Sequence, residues 1–213
     1  MNLTGELLFR IAFSALWIIF FPNAAWVRSL AGVSIGKRVA RHAGWSQVAA
    51  LALAVPYFVG ALLYALVPDW ISLLLIPFPD WFRFFMLCAA VVGMSFAVWG
   101  LRVLGKNWAP SMTGVRKDTV LITTGPYSIV RNPIYLGALI FLPSLALVAA
   151  SWLTVLPALI LSITLYTQVG EEEATLVDRF GDAYIKFMKR TPRLIPKLRQ
   201  TTAPQSKDSE NAC

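Results

Sequence analysis

Charge, histidine and cysteine are all scarce in this chain, and each shortage narrows what it can be. Only 14% of the 213 residues are charged, while 57% are hydrophobic. That balance excludes an ordinary soluble domain of this size, and a mean hydropathy of +0.64 agrees. Cys88 lies inside an apolar run and Cys213 is the last residue. They have no metal-ligand spacing and make no plausible structural pair, so no metal is expected. Cys213 does not complete a C-a-a-X box either, so no prenylation of this chain is expected. His42 is the sole histidine. It sits in a basic link, where a surface position is the usual outcome.

What the chain has instead is long apolar runs. About 20 such residues span a bilayer, and five candidates follow in order: Leu7–Val27, Trp45–Val67, Trp81–Leu104, Pro133–Ala150 and Leu153–Gly170. The first is too long for a cleaved leader and lacks a convincing cleavage site. Pro56, Pro143 and Pro157 should bend their helices. Gly93 and Gly100, seven apart, share a face and allow close helix contact. Arg83, near the start of the third run, should snorkel to the interface. Ser151-Trp152 alone separates the last two runs, which predicts a tight antiparallel hairpin.

The net charge is +8, from 19 basic and 11 acidic residues. The basic residues lie between apolar runs, so orientation and anionic headgroups account for them, and no nucleic-acid partner is expected. Arg28, Lys37, Arg38 and Arg41 load the first link, whereas the second carries Asp69 and Asp80. By the positive-inside rule the N-terminus is outside and the C-terminus cytoplasmic.

Two polar clusters stand out. The stretch GPYSIVRNPIYLG, Gly125–Gly137, opens on turn chemistry and then reads as a helix start. Asn132 is a favoured N-cap, and Pro133 suits the first helical position. Such an end favours an anion. The second cluster, Glu171-Glu172-Glu173, follows the fifth run without a break. Three like charges at a membrane border would be relieved by a cationic ligand beside an aromatic face such as Tyr127 or Tyr135. The hairpin brings both clusters to one side of the membrane. An anion site and a cation site together suit S-adenosylmethionine, although many zwitterions satisfy the same argument. Beyond Gly170 a charged amphipathic helix is expected, with Leu176, Phe180, Tyr184 and Phe187 on one face and a stop near Arg190 before Pro192. Arg193 to Pro196 reads as an ordered extended piece, and the tail from about Gln200 as disordered.

From roughly Trp99 to Leu198 the chain resembles the isoprenylcysteine carboxyl methyltransferase family and its phospholipid methyltransferase relatives. Three blocks carry the likeness: LGKNWAPS at Leu104–Ser111, TVLITTGPYSIVRNPIYLG at Thr119–Gly137, and EEEATLVDRFGDAYIKFMKRTPRLIP at Glu171–Pro196. The expected fold class is therefore an all-α, multi-pass integral membrane protein with about five transmembrane helices and a C-terminal amphipathic cytoplasmic helix. Its expected divisions are N-terminal membrane helices over 1–98, a methyltransferase core over 99–199 and a tail over 200–213.

The resemblance implies S-adenosylmethionine in a cytoplasmic pocket closed over by the C-terminal helix and loops. Thr119, Val120, Leu121 and Ile122 would hold the adenosine region through backbone groups. Tyr127 would line the pocket, and Asn132, Pro133, Tyr135 and Gly137 would form its wall. Glu172 would bind the cofactor, with Glu171 or Glu173 in support. Asn132, Tyr135 and Glu172 are the catalytic candidates. The implied acceptor is a lipophilic small molecule or prenylated cysteine carboxylate reached from the membrane lipids. A phospholipid amine of the phosphatidylethanolamine type is the alternative, and a non-catalytic scaffold or transporter subunit is the reading from a different class.

Two positions depart from the family pattern. Its commonest form has His where this chain has Asn132, which cannot titrate near neutrality and so excludes a proton shuttle there. The eukaryotic carboxyl methyltransferases have an Arg where this chain has Gln168, the candidate substrate residue. Gln cannot clamp a carboxylate by paired charged bonds.

Overall fold

The computed structural model describes residues 3–31, 45–67, 74–107 and 120–196. His42, Asp69, Thr119 and the tail from Gln200 lie outside them. The described residues form six α-helices: α1 (Leu3–Ala31), α2 (Trp45–Leu66), α3 (Asp80–Leu104), α4 (Pro133–Ala149), α5 (Trp152–Phe180) and α6 (Asp182–Arg190). Short 3-10 turns cover Gly105–Asn107 and Gly125–Ser128. Among the described residues there is no strand, and Leu75 and Ser151 form one isolated bridge. The protein is an all-α, multi-pass membrane protein. Gly5–Val27, Asp80–Asn107 and Trp152–Phe180 are each long and apolar enough to cross a bilayer. Ala52–Leu66 and Pro133–Ala149 are shorter apolar helices.

The shortest of the five, α4, sits at the centre, packed on α1, α2, α3 and α5. Its closest neighbour is α3, and glycine sets the approach. A Cβ on Gly93 would lie 2.7 Å from the Phe141 amide nitrogen, and one on Gly137 would lie 2.5 Å from that of Ala97. The shared glycine face of α3 is thus used as its spacing predicts, with Gly100 meeting Ile134. Trp17, Tyr57, Phe141, Leu145 and Met94 fill the apolar centre of the bundle. At the far end the hairpin turns at Ala150, which takes a left-handed φ of 50°. Ser151 caps α5 there by accepting from the Leu153 amide at 3.3 Å.

Arg83 does not snorkel. It is 1% exposed and donates to Glu6 at 2.7 Å, to the Tyr64 hydroxyl at 3.0 Å and to the Val148 carbonyl at 2.9 Å. Its guanidinium also stands 4.0 Å from the Phe9 ring centre. The reason is local supply. Val148 lies in the last turn of α4, where carbonyls lack helical partners and favour a cation, and Glu6 supplies the opposing charge. This one side chain joins α1, α2, α3 and α4.

The expected charged helix after Gly170 is also different. The fifth membrane helix runs unbroken through the glutamates to Phe180, 29 residues in all. At 1.5 Å per residue that is about 43 Å, against about 30 Å of hydrocarbon, so its last turns project beyond the apolar layer. The chain then breaks at Gly181, with φ 52°, and α6 turns back. Leu176, Phe180, Tyr184 and Phe187 still converge on one apolar cluster, but from two helices rather than one.

Two stability outcomes follow from these contacts. Arg83→Leu leaves the Glu6 carboxylate with Arg10 alone, at 3.3 Å, and removes the donor to Tyr64 and Val148; it should cost about 3–5 kcal/mol, with part recovered in the Glu6→Gln, Arg83→Leu double variant. Thermal unfolding followed by circular dichroism in detergent micelles measures both; an unchanged midpoint in Arg83→Leu would refute the four-helix role. Gly137→Ala forces α3 and α4 apart and should cost about 1–3 kcal/mol. The same measurement checks it, and a melting point equal to the parent's would contradict the close contact.

Candidate functional site

The site is built where the start of α4, the projecting end of α5 and the underside of α6 meet. Asn132 takes the N-cap position of α4 as its sequence predicts, and Pro133 the first helical one. The Asn132 side chain makes no cap bond, however. Its amide donates instead to Glu173 at 2.8 Å and to the Arg193 carbonyl at 3.4 Å. The Arg131 and Asn132 amides donate to the carbonyls of Pro192 and Arg193, at 2.8 and 3.2 Å. The piece after α6 is therefore laid alongside the entry to α4.

Glu173 is the hub. It is 4% exposed and takes a two-pronged contact from Arg131, Nε to Oε1 at 2.8 Å and Nη2 to Oε2 at 3.2 Å. Arg193 Nε adds a third charged bond at 2.8 Å. The other Arg131 nitrogen donates to the carbonyls of Met188 and Thr191 at 3.1 and 2.6 Å. One carboxylate thus binds α5 to the α4 entry and, through Arg131, to the end of α6. Arg131 and Arg193 were not singled out from the sequence. The available signal was the run of three acids, whose charge needed basic partners somewhere in the fold.

Glu172 faces elsewhere. Successive helical residues point about 100° apart, so Glu172 and Glu173 straddle α4. The Tyr135 hydroxyl donates to Glu172 at 2.7 Å. Tyr127 is buried in a cluster with Tyr184 and Phe187, against which Leu121 and Ile122 pack. Burial, and then the nearby Glu172 charge, raise its phenol well above the ordinary tyrosine value. Burial and the Glu173 charge likewise raise Tyr184 on α6. The two distant polar clusters do meet, through the Tyr135–Glu172, Arg131–Glu173 and Asn132–Glu173 bonds.

The remaining candidates distribute unevenly. Val120 is exposed, and its amide donates to the Asn107 side chain at 3.2 Å. Gln168 is buried one turn before Glu172. Gly137 faces Ala97 on α3, which gives it a packing reason. Thr119 is outside the described residues, so the adenosine-loop expectation is traced only from Val120 onward.

A family model described as phospholipid methyltransferase matches residues 81–183. Protein-S-isoprenylcysteine O-methyltransferase of Schizosaccharomyces pombe is 36% identical over 83 residues, 38% of this chain and 35% of its own length. Over that stretch the chain is similar to both. A likeness of fold extends over the whole bundle: the structure of the eukaryotic intramembrane Ras methyltransferase ICMT matches with a TM-score of 0.61 at 16% identity, covering 92% of this chain and 69% of that one. The nickel-cobalt-cadmium resistance protein NccN of Alcaligenes xylosoxydans xylosoxydans is also similar, 29% identical over 119 residues, 55% of this chain and 53% of its own. The chain spans about half the length of that relative.

The two adjacent glutamates should separate experimentally. Glu173→Gln leaves Arg131 buried without its counter-charge and should lower stability by about 3–5 kcal/mol. Glu172→Gln should cost less, since the glutamine can still accept from the Tyr135 hydroxyl, whereas Glu173 neutralises two guanidinium groups. Paired thermal melts decide; similar losses in both would erase the distinction.

Proposed function

We propose that this chain is a membrane-embedded, S-adenosylmethionine-dependent methyltransferase acting on a lipophilic acceptor, in the manner of isoprenylcysteine carboxyl O-methyltransferases. The observation that carries the reading is the Tyr135–Glu172 pair, 2.7 Å long, held beside buried Tyr127 under α6. The residues fit the cofactor: a carboxylate for a positive group, an aromatic ring nearby, and an apolar cluster that keeps the surroundings dry. When bound, the cofactor supplies a methyl group already activated on a sulfonium.

The chain's own residues then have distinct tasks. Glu172 attracts the positive sulfonium or α-amino group, and Tyr135 fixes the direction of that carboxylate. Glu173 and its arginines hold the α4 entry so that Tyr135 cannot drift. Asn132 is committed to Glu173 and carries no titrating proton. Tyr184 and Phe187 press α6 onto Tyr127 and exclude water, which strengthens every charge interaction inside. Most of the rate would come from alignment, worth up to about 7–11 kcal/mol in favourable cases. A carboxylate acceptor arrives deprotonated and needs no base. An amine acceptor must lose a proton, and Glu172 would take it. A phospholipid amine is therefore the second reading, favoured by the description of the matching family model and by Gln168 in place of a carboxylate-clamping Arg. The basic first link and the acidic second link support a cytoplasmic site and C-terminus.

Titration calorimetry on the purified chain should show S-adenosylmethionine binding, weakened about 10- to 100-fold in Glu172→Gln, the worth of one hydrogen bond to a charged group. No heat from the parent protein would leave the scaffold reading. Mass spectrometry of lipid and prenyl-cysteine extracts after incubation with methyl-labelled cofactor identifies the acceptor, and label on a headgroup amine would defeat the carboxylate assignment.

A further inference from the structure

On the outer side of the turn that carries Tyr127 lies an open depression of about 550 Å³, between residues 123–129 and the end of α6. Thr123, Ser128, Thr191 and Arg190 line it, together with Ile129, Phe187 and Pro192. Of these residues only Phe187 also serves the proposed cofactor site, as part of the cover over Tyr127. Ser128 gives its proton to the Gly125 carbonyl at 2.7 Å, so the hydroxyl donors left for a ligand are Thr123 and Thr191, beside the charged Arg190. Two hydroxyl donors and one cation suit a phosphate oxygen cluster.

The position of the depression says which phosphate. It adjoins the entry to α4, where an apolar helix begins. Ile129 on its wall is 40% exposed, and Ile195, three residues past Pro192, is 82% exposed. Such side chains belong against acyl chains rather than bulk water. The exposed residues of α6 next to it include Lys186 and Lys189, with Asp182 the one acid of that helix. We propose that this depression holds the headgroup phosphate of an anionic phospholipid from the surrounding bilayer, with Arg190 as its charged anchor. A lipid seated there ties α6 to the 123–129 turn, the two walls that close over Tyr127. The inference stands whether or not the methyltransferase reading does.

The test uses the full chain in nanodiscs of phosphatidylcholine with and without phosphatidylglycerol, followed by native mass spectrometry of retained lipid. Phosphatidylglycerol should be retained in preference, about fivefold less in Arg190→Gln, the usual weight of one basic residue at an anionic surface, and restored in Arg190→Lys. Thermal midpoints in lipid-free detergent should match, showing that the fold is intact. Equal retention of the two lipids, or no effect of Arg190→Gln, overturns the proposal. Inorganic phosphate that stabilises the detergent-solubilised protein as well as phosphatidylglycerol does would make this a free-phosphate site and overturn the lipid assignment. A loss of S-adenosylmethionine affinity in Arg190→Gln would move the depression into the cofactor site and overturn it too.

Discussion

A single buried carboxylate organises the functional half of this protein. Glu173 sits 4% exposed between Arg131 and Arg193. An unpaired charge there would be strongly unfavourable, and the attraction of two guanidinium groups repays the loss of water only if the geometry is good. That requirement forces three separate parts of the chain into one arrangement: the entry to α4, the projecting turns of α5 and the segment that follows α6. Everything placed near Tyr135 and Glu172 inherits its position from this junction.

The membrane explains why the junction lies where it does. The 29 residues of α5 exceed the apolar thickness, so its last turns leave the hydrocarbon and can carry Glu171 to Glu173 without exposing them to lipid. The 17 residues of α4 do not, and α4 is instead enclosed by its neighbours. Glycine contacts with α3 let it sit that deeply, and Arg83 closes the opposite end by serving the last-turn carbonyl of Val148. A buried ionic knot at each end of the bundle, one through Arg83 and one through Glu173, thus fixes the shared helix α4.

The two knots also show where reading the sequence falls short. Arg83, met alone, has a long stem near a membrane border, and outward extension is the sensible expectation. Its partners Glu6, Tyr64 and Val148 lie 77, 19 and 65 residues away, and nothing near Arg83 in the chain announces them. Asn132 presents the same problem in a subtler form. Its cap position was legible from Asn-Pro, but its side chain obeys Glu173, 41 residues on. The amphipathic spacing after Gly170 was legible too, while the reversal at Gly181 was not, because a helical face looks the same whether one helix or two supply it.

Hydropathy and local chemistry were enough to determine the apolar helices, the hairpin at Ser151, the start of α4 and the meeting of the two polar clusters. These rest on periodicity, length and turn preference, which act within a few residues of one another. The tertiary structure alone decided that Glu173 is the structural anchor and Glu172 the group turned toward Tyr135. Adjacent residues on a helix differ in direction by about 100°, and which direction meets arginine and which meets tyrosine is set by the helices packed around them.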